Sequence, residues 1–319
     1  MSPTVTIESV RDAARGLRGV AVRTPLLPAG WLSERVGAEV RLKCESFQPI
    51  GAFKLRGAYT MVARLPAAER ARGVITYSSG NHAQAVAFAA RAFGITAVIV
   101  MPENAPGVKV EGTRRLGGEV VLEGTTSEQR RARAEAIRDE RGLVMVPPFD
   151  HPDIIAGQGT VGLEILEDWP EVETVLVPIG GGGLISGVAA AVKATHPEIR
   201  VIGVEPMGSA AMRRALDAGE VVTLDHVDSI ADGLLPTRVG DLTFAHCRDL
   251  VDDVVLVEDE AIRRAAGLLL ASGKLLVEFS GAATTAALLA GAWSGGRVAA
   301  VISGGNIDPA RVPEILAAA

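Results

Sequence analysis

The chain has 319 residues, 48% of them hydrophobic and 22% charged, enough apolar material for a large core in one or two domains. A net charge of −6 argues against a protein that grips the phosphate backbone of nucleic acid. Cys44 and Cys247 form neither a metal motif nor a disulfide framework and read as small buried hydrophobes, and no segment resembles a secretory signal or a membrane span, so a cytoplasmic protein is expected.

Ile7, Val10, Ala14 and Leu17 recur at helical spacing, Thr24-Pro25 breaks the run, and Val40 to Leu42 read as a strand. A helix is expected from Lys54 to Leu65, a strand at 73–77 and a helix over Ala83 to Phe93. Strands follow at 96–101 and 119–122 with a helix around Val108 to Leu116 between them. The helix Ser127 to Arg141 carries Arg130, Arg131 and Arg133 on what reads as a solvated face. Pro147 to Pro152 forms a hinge-like connector into a helix containing Gly162 to Leu166. Then come a strand at 174–179, a helix from Leu184 to Thr195, a strand at 200–204, helices near 210–216 and 259–271, and a last strand at 298–302. Strand and helix alternate, and the strands are too uniformly apolar to show one wet face. An α/β fold follows, with mostly parallel sheets covered by helices on both sides.

Lys54 stands in Ser46 to Ala58, a stretch of glycine, alanine and large apolar residues. Burial there disfavours the ammonium, and a neutral lysine amine is the nucleophile that forms an imine with a carbonyl. The chain has five lysines, and the other four, Lys43, Lys109, Lys193 and Lys274, sit among charged or ordinary helix-face residues. Lys54 is the outlier.

Gly180-Gly181-Gly182-Gly183 lies between the strand ending at Ile179 and the helix starting near Leu184. Successive glycine amides can converge on an anion, and the helix start adds free donors and its dipole. A dinucleotide fingerprint would need glycine at first, third and sixth positions; the sixth residue is Ile185 counted from Gly180 and Ser186 from Gly181. A nicotinamide-dependent oxidoreductase, with Glu205 as the ribose-binding acid, therefore stands as a rival reading, beside a cofactor-binding regulator without turnover. No Walker lysine follows the glycines. One ligand unites an imine-forming lysine with a phosphate cradle: pyridoxal 5′-phosphate.

The strings GAFKLRGA, SSGNHAQA, AGQGT (Ala156 to Thr160), GGGGLISG and SGGN (Ser303 to Asn306) follow one another in the order and near the spacing of the fold type II pyridoxal phosphate enzymes. Over nearly its whole length the chain resembles the threonine/serine dehydratase and serine racemase family. The resemblance implies that Lys54 binds the cofactor aldehyde and later takes the α-proton, with Phe53 packed against the cofactor. It also implies that Asn81 bonds the ring hydroxyl, Gly180 to Gly183 hold the phosphate and Ser303 faces the pyridine nitrogen. A neutral hydroxyl at that nitrogen makes a weaker electron sink, which favours loss of a β-substituent as the α-proton leaves. Ser78, Ser79, Gly80, Asn81 and His82 form a strand-to-helix loop expected at the substrate carboxylate. Ser79 matches the group acting on the opposite cofactor face in racemising relatives, whereas His82 is expected to be only a polar residue of the first helical turn. Phe149 and Gln158 are placed on the substrate side by the family pattern.

Departures narrow the expectation. Pro147-Pro148-Phe149-Asp150 has the dehydratase form, where eukaryotic-type serine racemases tend to carry histidine and asparagine. The family's cation site pairs a glutamate with an aspartate six residues on; Glu205 is here, but Ala211 follows, so no metal is expected. Glu278-Phe279 replaces a more usual Glu-Pro. The chain to Ala319 leaves no room for the regulatory domain of feedback-controlled relatives, so a catabolic type is expected. The expected protein is a homodimeric lyase with a small unit, residues 65–151, inserted into a larger one made of 1–64 and 152–319. Its substrate would be a small L-β-hydroxy amino acid, threonine or serine, deaminated through an enamine to a 2-oxo acid and ammonium. The cofactor phosphate is the expected acid for the leaving hydroxyl. Serine racemisation and 3-hydroxyaspartate dehydration are the alternatives within the family.

Overall fold

The computed structural model describes residues 5–78, 80–105, 107–291 and 295–318. Among them are ten strands: β1 (Leu26–Pro28), β2 (Glu39–Cys44), β3 (Val74–Tyr77), β4 (Ala97–Met101), β5 (Glu119–Leu122), β6 (Val144–Met145), β7 (Thr174–Pro178), β8 (Arg200–Pro206), β9 (Asp253–Val257) and β10 (Arg297–Ile302). They form two sheets, one in the order β1-β2-β10-β7-β8-β9 and one in the order β5-β4-β3-β6. Every pairing is parallel except that of β1 with β2. β1, β6 and β9 are not among the strands expected from the sequence. For β1 and β6, two or three residues of strand pattern cannot be told from loop without the neighbour that pairs with them.

Although the strands are apolar throughout, their two faces enter different cores. Val298, Ala300 and Ile302 of β10 join one cluster with Leu176 of β7 and Ile202 and Val204 of β8. Ala299 and Val301 join a second with Val175, Val177 and Val201. The first is covered by the helices Asp259–Ala271 and Phe279–Leu289, the second by Pro152–Asp168 and Gly183–Thr195. The smaller sheet does the same, with Ala97, Ile99 and Met101 on one face and Val98 and Val100 on the other. Each fully buried valine, leucine, isoleucine or methionine among them contributes about 1.5–3 kcal/mol, each alanine less.

The helix Lys54–Arg64 packs across Pro152–Asp168 at unusually close range. A Cβ on Gly157 would lie 2.5 Å from the Arg56 carbonyl oxygen, and one on Gly57 would lie 2.8 Å from that of Ile154. Gly159 and Gly187 make the same contact between Pro152–Asp168 and Gly183–Thr195, where a Cβ on Gly187 would meet the Gly159 nitrogen at 2.5 Å. The AGQGT string thus has a packing reason: its glycines let three helices touch through their backbones. Substituting alanine at Gly157 would push Lys54 and its helix outward.

Two side chains start helices near the site. His151 caps the helix Pro152–Asp168, its ring nitrogen accepting from the Asp153 amide, with Pro152 in the first turn. The connector before it is well tied: Asp150 accepts from the amides of Asp241, Leu242 and Thr243 at 3.0–3.1 Å and so caps the helix Asp241–Leu250 from another part of the chain. The hinge-like reading of Pro147 to Pro152 misses this role, because the amides that Asp150 caps lie about ninety residues away.

Candidate active site

Segments that leave the carboxyl ends of β2, β3, β7 and β10 meet one another, as ligand sites of parallel sheets generally require. Ala52 bridges Gly304, and the Phe53 amide donates to the Ser303 carbonyl at 3.1 Å, so the loop before Lys54 lies along the loop after β10. Gly180 approaches Gly233 and Leu234, and Ser280 accepts from the Gly233 amide at 2.8 Å. Two thirteen-residue helices, Asn81–Phe93 and Gly183–Thr195, start in these loops, and each start offers free N–H groups and a positive dipole end.

Lys54 is the first residue of its helix, and its Nζ donates to the Pro148 carbonyl at 2.7 Å. The residue is partly exposed, yet burial of the amine pulls its pKa down to about 8. Roughly one amine in ten is then unprotonated at pH 7. The Phe53 ring lies beside it, its centroid 5.2 Å from Nζ.

The glycine run has the form of an anion cradle. Gly182 adopts φ +94°, a left-handed conformation that glycine takes without strain, and caps the following helix. Thr243 Oγ1 holds the loop by donating to the Gly181 carbonyl at 2.7 Å. Among the described residues, the amides of Gly180, Gly181, Gly182 and Gly183 have no hydrogen-bond acceptor. The Phe149 ring lies over Gly181, 2.1–2.3 Å from where a Cβ would stand. Phe149 therefore sits at the glycine run, and the adjoining Pro148 carries the Lys54 contact.

The loop from Ser78 to His82 lies between β3 and its helix. The Ser78 amide pairs with Val100, and Ser78 Oγ accepts from Gly80 at 3.3 Å. Ser79 lies outside the described residues. Lys109 Nζ stands 3.9 Å from the Cβ position of Gly80 and pairs with Asp232, bringing the two sheets' loops together at the same place. His82 is buried, with its Nε2 3.0 Å from the Val146 carbonyl. Burial, and then the nearby Lys54 charge, push its pKa down to about 3, so the ring is neutral and donates to that carbonyl. This makes His82 a tie between the loop and β6's end.

Asn81 is held on both sides, by Glu278 and Asn306. Burial, with Asp232 next in weight, raises the Glu278 pKa to about 7. Ser303 is buried, its Oγ 3.5 Å from the Ser280 carbonyl. Gln158 is buried at the seam with the helix Lys54–Arg64, its Oε1 without a partner among the described residues. No hydrogen bond joins it to the loop 78–82 among those residues. Glu205 is also buried, and its two oxygens accept from the Met212 and Arg213 amides at 2.8 and 2.9 Å. The carboxylate that would start a cation site caps the helix Ala211–Ala218 instead.

Lys43 corrects the expectation that Lys54 is the single lysine in an unusual setting. Lys43 is 0% exposed and pairs with Glu164 at 2.7 Å. Its neighbour in that network is Arg56, 1% exposed, which pairs with Glu45 at 2.8 Å and Glu164 at 2.6 Å. Lys43 thus sits among carboxylates, Glu164 at 2.7 Å and Asp168 at 3.8 Å, whereas no carboxylate pairs with Lys54 among the described residues. The two lysines differ first in their partners.

These residues fit pyridoxal phosphate on their own chemistry: a desolvated amine, an amide at Asn81, a buried hydroxyl at Ser303 and a glycine cradle with free donors. Comparison with known proteins agrees. Residues 17–304 match the family described as pyridoxal-phosphate dependent enzyme. An L-threonine ammonia-lyase of Thermotoga maritima is 46% identical over 313 residues, covering 98% of this chain and 78% of that one. A serine racemase of Oryza sativa subsp. indica is 43% identical over 309 residues, 95% of this chain and 91% of the relative. The solved structure of maize serine racemase superposes with a TM-score of 0.94 at 41% identity, over 98% of this chain and 97% of the other. The lysine, the cradle and the near-complete match along the chain lead to one conclusion: this protein belongs to the pyridoxal-phosphate dependent enzyme family, with the fold type II architecture.

Proposed function

We propose that the chain is an ammonia-lyase that deaminates a small L-β-hydroxy amino acid, threonine or serine, to a 2-oxo acid and ammonium. The observation that carries this reading is the Lys54 amine, desolvated and donating to the Pro148 carbonyl beside the glycine cradle. The bound cofactor supplies an electron sink for charge developing at Cα. Lys54 would hold the cofactor and then take the α-proton, a role suited to an amine whose pKa lies near the working pH. The amides of Gly180 to Gly183 would hold the phosphate. Asn81 would bond the ring hydroxyl, and Ser303 would meet the ring nitrogen. Ser78, Ser79, Gly80 and His82 would form the carboxylate side, with the start of the helix Asn81–Phe93 supplying donors. Phe149 and Gln158 would border the substrate. The small unit, residues 65–151, and the large one, 1–64 with 152–319, would close on the ligand from either side, in a cytoplasmic homodimer. No described helix is long and apolar enough to cross a membrane.

The names of the relatives support deamination and also a racemase reading, since both activities occur at 43–46% identity. One experiment separates them. Borohydride treatment of the coloured protein, followed by peptide mapping, should place the label on Lys54. Incubation with L-threonine and L-serine should release ammonium and a 2-oxo acid in equal amounts, and Lys54→Ala should abolish both colour and release. Label on another residue, or full activity in the variant, would refute the proposal. D-serine formed in excess over oxo acid would select the racemase.

A further inference from the structure

Two side chains around Asn81 have no part in the reading above. Asn306 Nδ2 donates twice, to the Ile50 carbonyl at 2.8 Å and to Asn81 Oδ1 at 2.8 Å. A backbone carbonyl only accepts, so the Ile50 contact decides which end of the Asn306 amide is nitrogen. With both of its hydrogens used, that nitrogen can meet only the oxygen end of Asn81. The nitrogen end of Asn81 then faces Glu278 and donates to its Oε1 at 2.7 Å. One Asn81 N–H is left for a ligand.

Both anchors occupy niches that glycines keep open. A Cβ at Gly51, where φ is +72°, would lie 2.4 Å from Asn306 Oδ1. One at Gly304 would lie 2.3 Å from Glu278 Oε1. Gly51 stands three residues before Lys54, and Gly304 follows Ser303 directly, so the anchors are built into the segments that carry the cofactor-facing groups.

We infer that Asn306 and Glu278 are positioning residues, which hold the Asn81 amide in the one orientation that offers nitrogen, not oxygen, to the cofactor's ring hydroxyl. The inference rests on Asn81 being the ligand of that hydroxyl, as proposed above. A flipped amide would set a carbonyl oxygen against an electron-rich ring oxygen, losing a hydrogen bond and adding repulsion. The direction of the whole chain is dictated by the Ile50 carbonyl, which cannot turn over.

The test uses the full-length apoprotein titrated with pyridoxal 5′-phosphate, reading the dissociation constant and the position of the visible band, with thermal unfolding of each apoprotein alongside. Asn306→Asp keeps the shape of the side chain but replaces its donor with an acceptor. It should weaken cofactor binding about tenfold and shift the band in an apoprotein that still unfolds cooperatively, at a somewhat lower midpoint because the Ile50 carbonyl loses its donor. Glu278→Gln, which keeps an oxygen for Asn81, should stay within about threefold, and Glu278→Leu should fall with Asn306→Asp. If Asn306→Asp does not yield folded protein, Asn306→Ala is read in the same way. Wild-type affinity and an unmoved band in the Asn306 variants, or in Glu278→Leu, would overturn the inference. Should Asn81→Ala also bind like wild type, the assignment of Asn81 itself fails. Weak binding by Asn81→Ala with intact binding by the others would sink only the positioning role.

Discussion

Arg56 offers a quantitative check on how the helix carrying Lys54 is held. Its guanidinium is 1% exposed. It donates through Nε and Nη2 to Glu45 at 2.8 Å each, and through Nη1 and Nη2 to Glu164 at 2.6 and 2.8 Å. Nη1 also reaches Thr160 Oγ1 at 3.0 Å. Glu45 is itself 0% exposed, and Arg56 is the dominant cause holding its pKa below the usual value against the opposing effect of burial. Arg56→Met would leave the Glu45 carboxylate with only Thr24 and Gln48 as donors and more distant help from Lys43. Stranding one partner of a buried pair costs about 3–5 kcal/mol, which in a chain of this length lowers the apoprotein midpoint by about 4–8 °C. Arg56→Lys keeps the charge but not the planar fork, and should fall in between. Calorimetry of the two variants, of Glu45→Leu and of the double variant Glu45→Leu/Arg56→Met completes a cycle. The double variant should recover at least half of the summed single losses, since two apolar side chains can replace a desolvated pair. A loss below about 1 kcal/mol in Arg56→Met, or strict additivity in the cycle, would refute the argument that this pair anchors the helix.

Two further outcomes follow from the geometry of the site. In Gly181→Ala the new methyl would stand 2.1 Å from the Phe149 ring, so either the ring or the loop must move. The expected cost is about 1–3 kcal/mol in stability, with cofactor affinity down tenfold or more, and Phe149→Ala in the same chain should restore the stability. Equal cofactor affinity in Gly181→Ala and wild type would remove the cradle from the binding site. His82 ties stability to pH. Its folded pKa of about 3 lies below the ordinary value of 6.5, so between these values the unfolded chain takes up a proton that the folded one refuses. Stability from this group is complete above pH 6.5 and is lost as the pH falls toward 3, by up to a few kcal/mol. His82→Asn should flatten that part of the pH profile of the unfolding midpoint. An unchanged slope in the variant would show that the ring is not the neutral buried donor described here.

Much of the scaffold was legible before any coordinates. The helix over Lys54, the strands at Val74, Ala97 and Thr174, and the glycine run ahead of Leu184 all carry their signals in consecutive residues. Periodicity and turn chemistry act over a few positions, so neighbours in sequence suffice to read them. The helices Asp241–Leu250 and Phe279–Leu289 were not anticipated. The second is buried on every side, with no polar face to mark its period, and the first takes its cap from Asp150 rather than from its own flank.

What the amino-acid order determined by itself was an α/β protein of alternating units, an amine placed in apolar surroundings and an anion loop at a strand end, hence the cofactor class. What only the tertiary structure decided was which charges are buried with partners and which alone. Lys43 and Lys54 lie eleven residues apart, and their neighbours in sequence do not tell that Lys43 is buried among carboxylates. The distinction comes from Glu164, carried in by another helix to pair with both Lys43 and Arg56, while among the described residues Lys54 donates to the Pro148 carbonyl and pairs with no carboxylate. The same holds for Glu205, turned into a helix cap, and for Asn81, oriented through Asn306 from the far end of the chain. Electrostatic character in a protein interior depends on groups within a few ångströms, and those groups are gathered from distant sequence by packing.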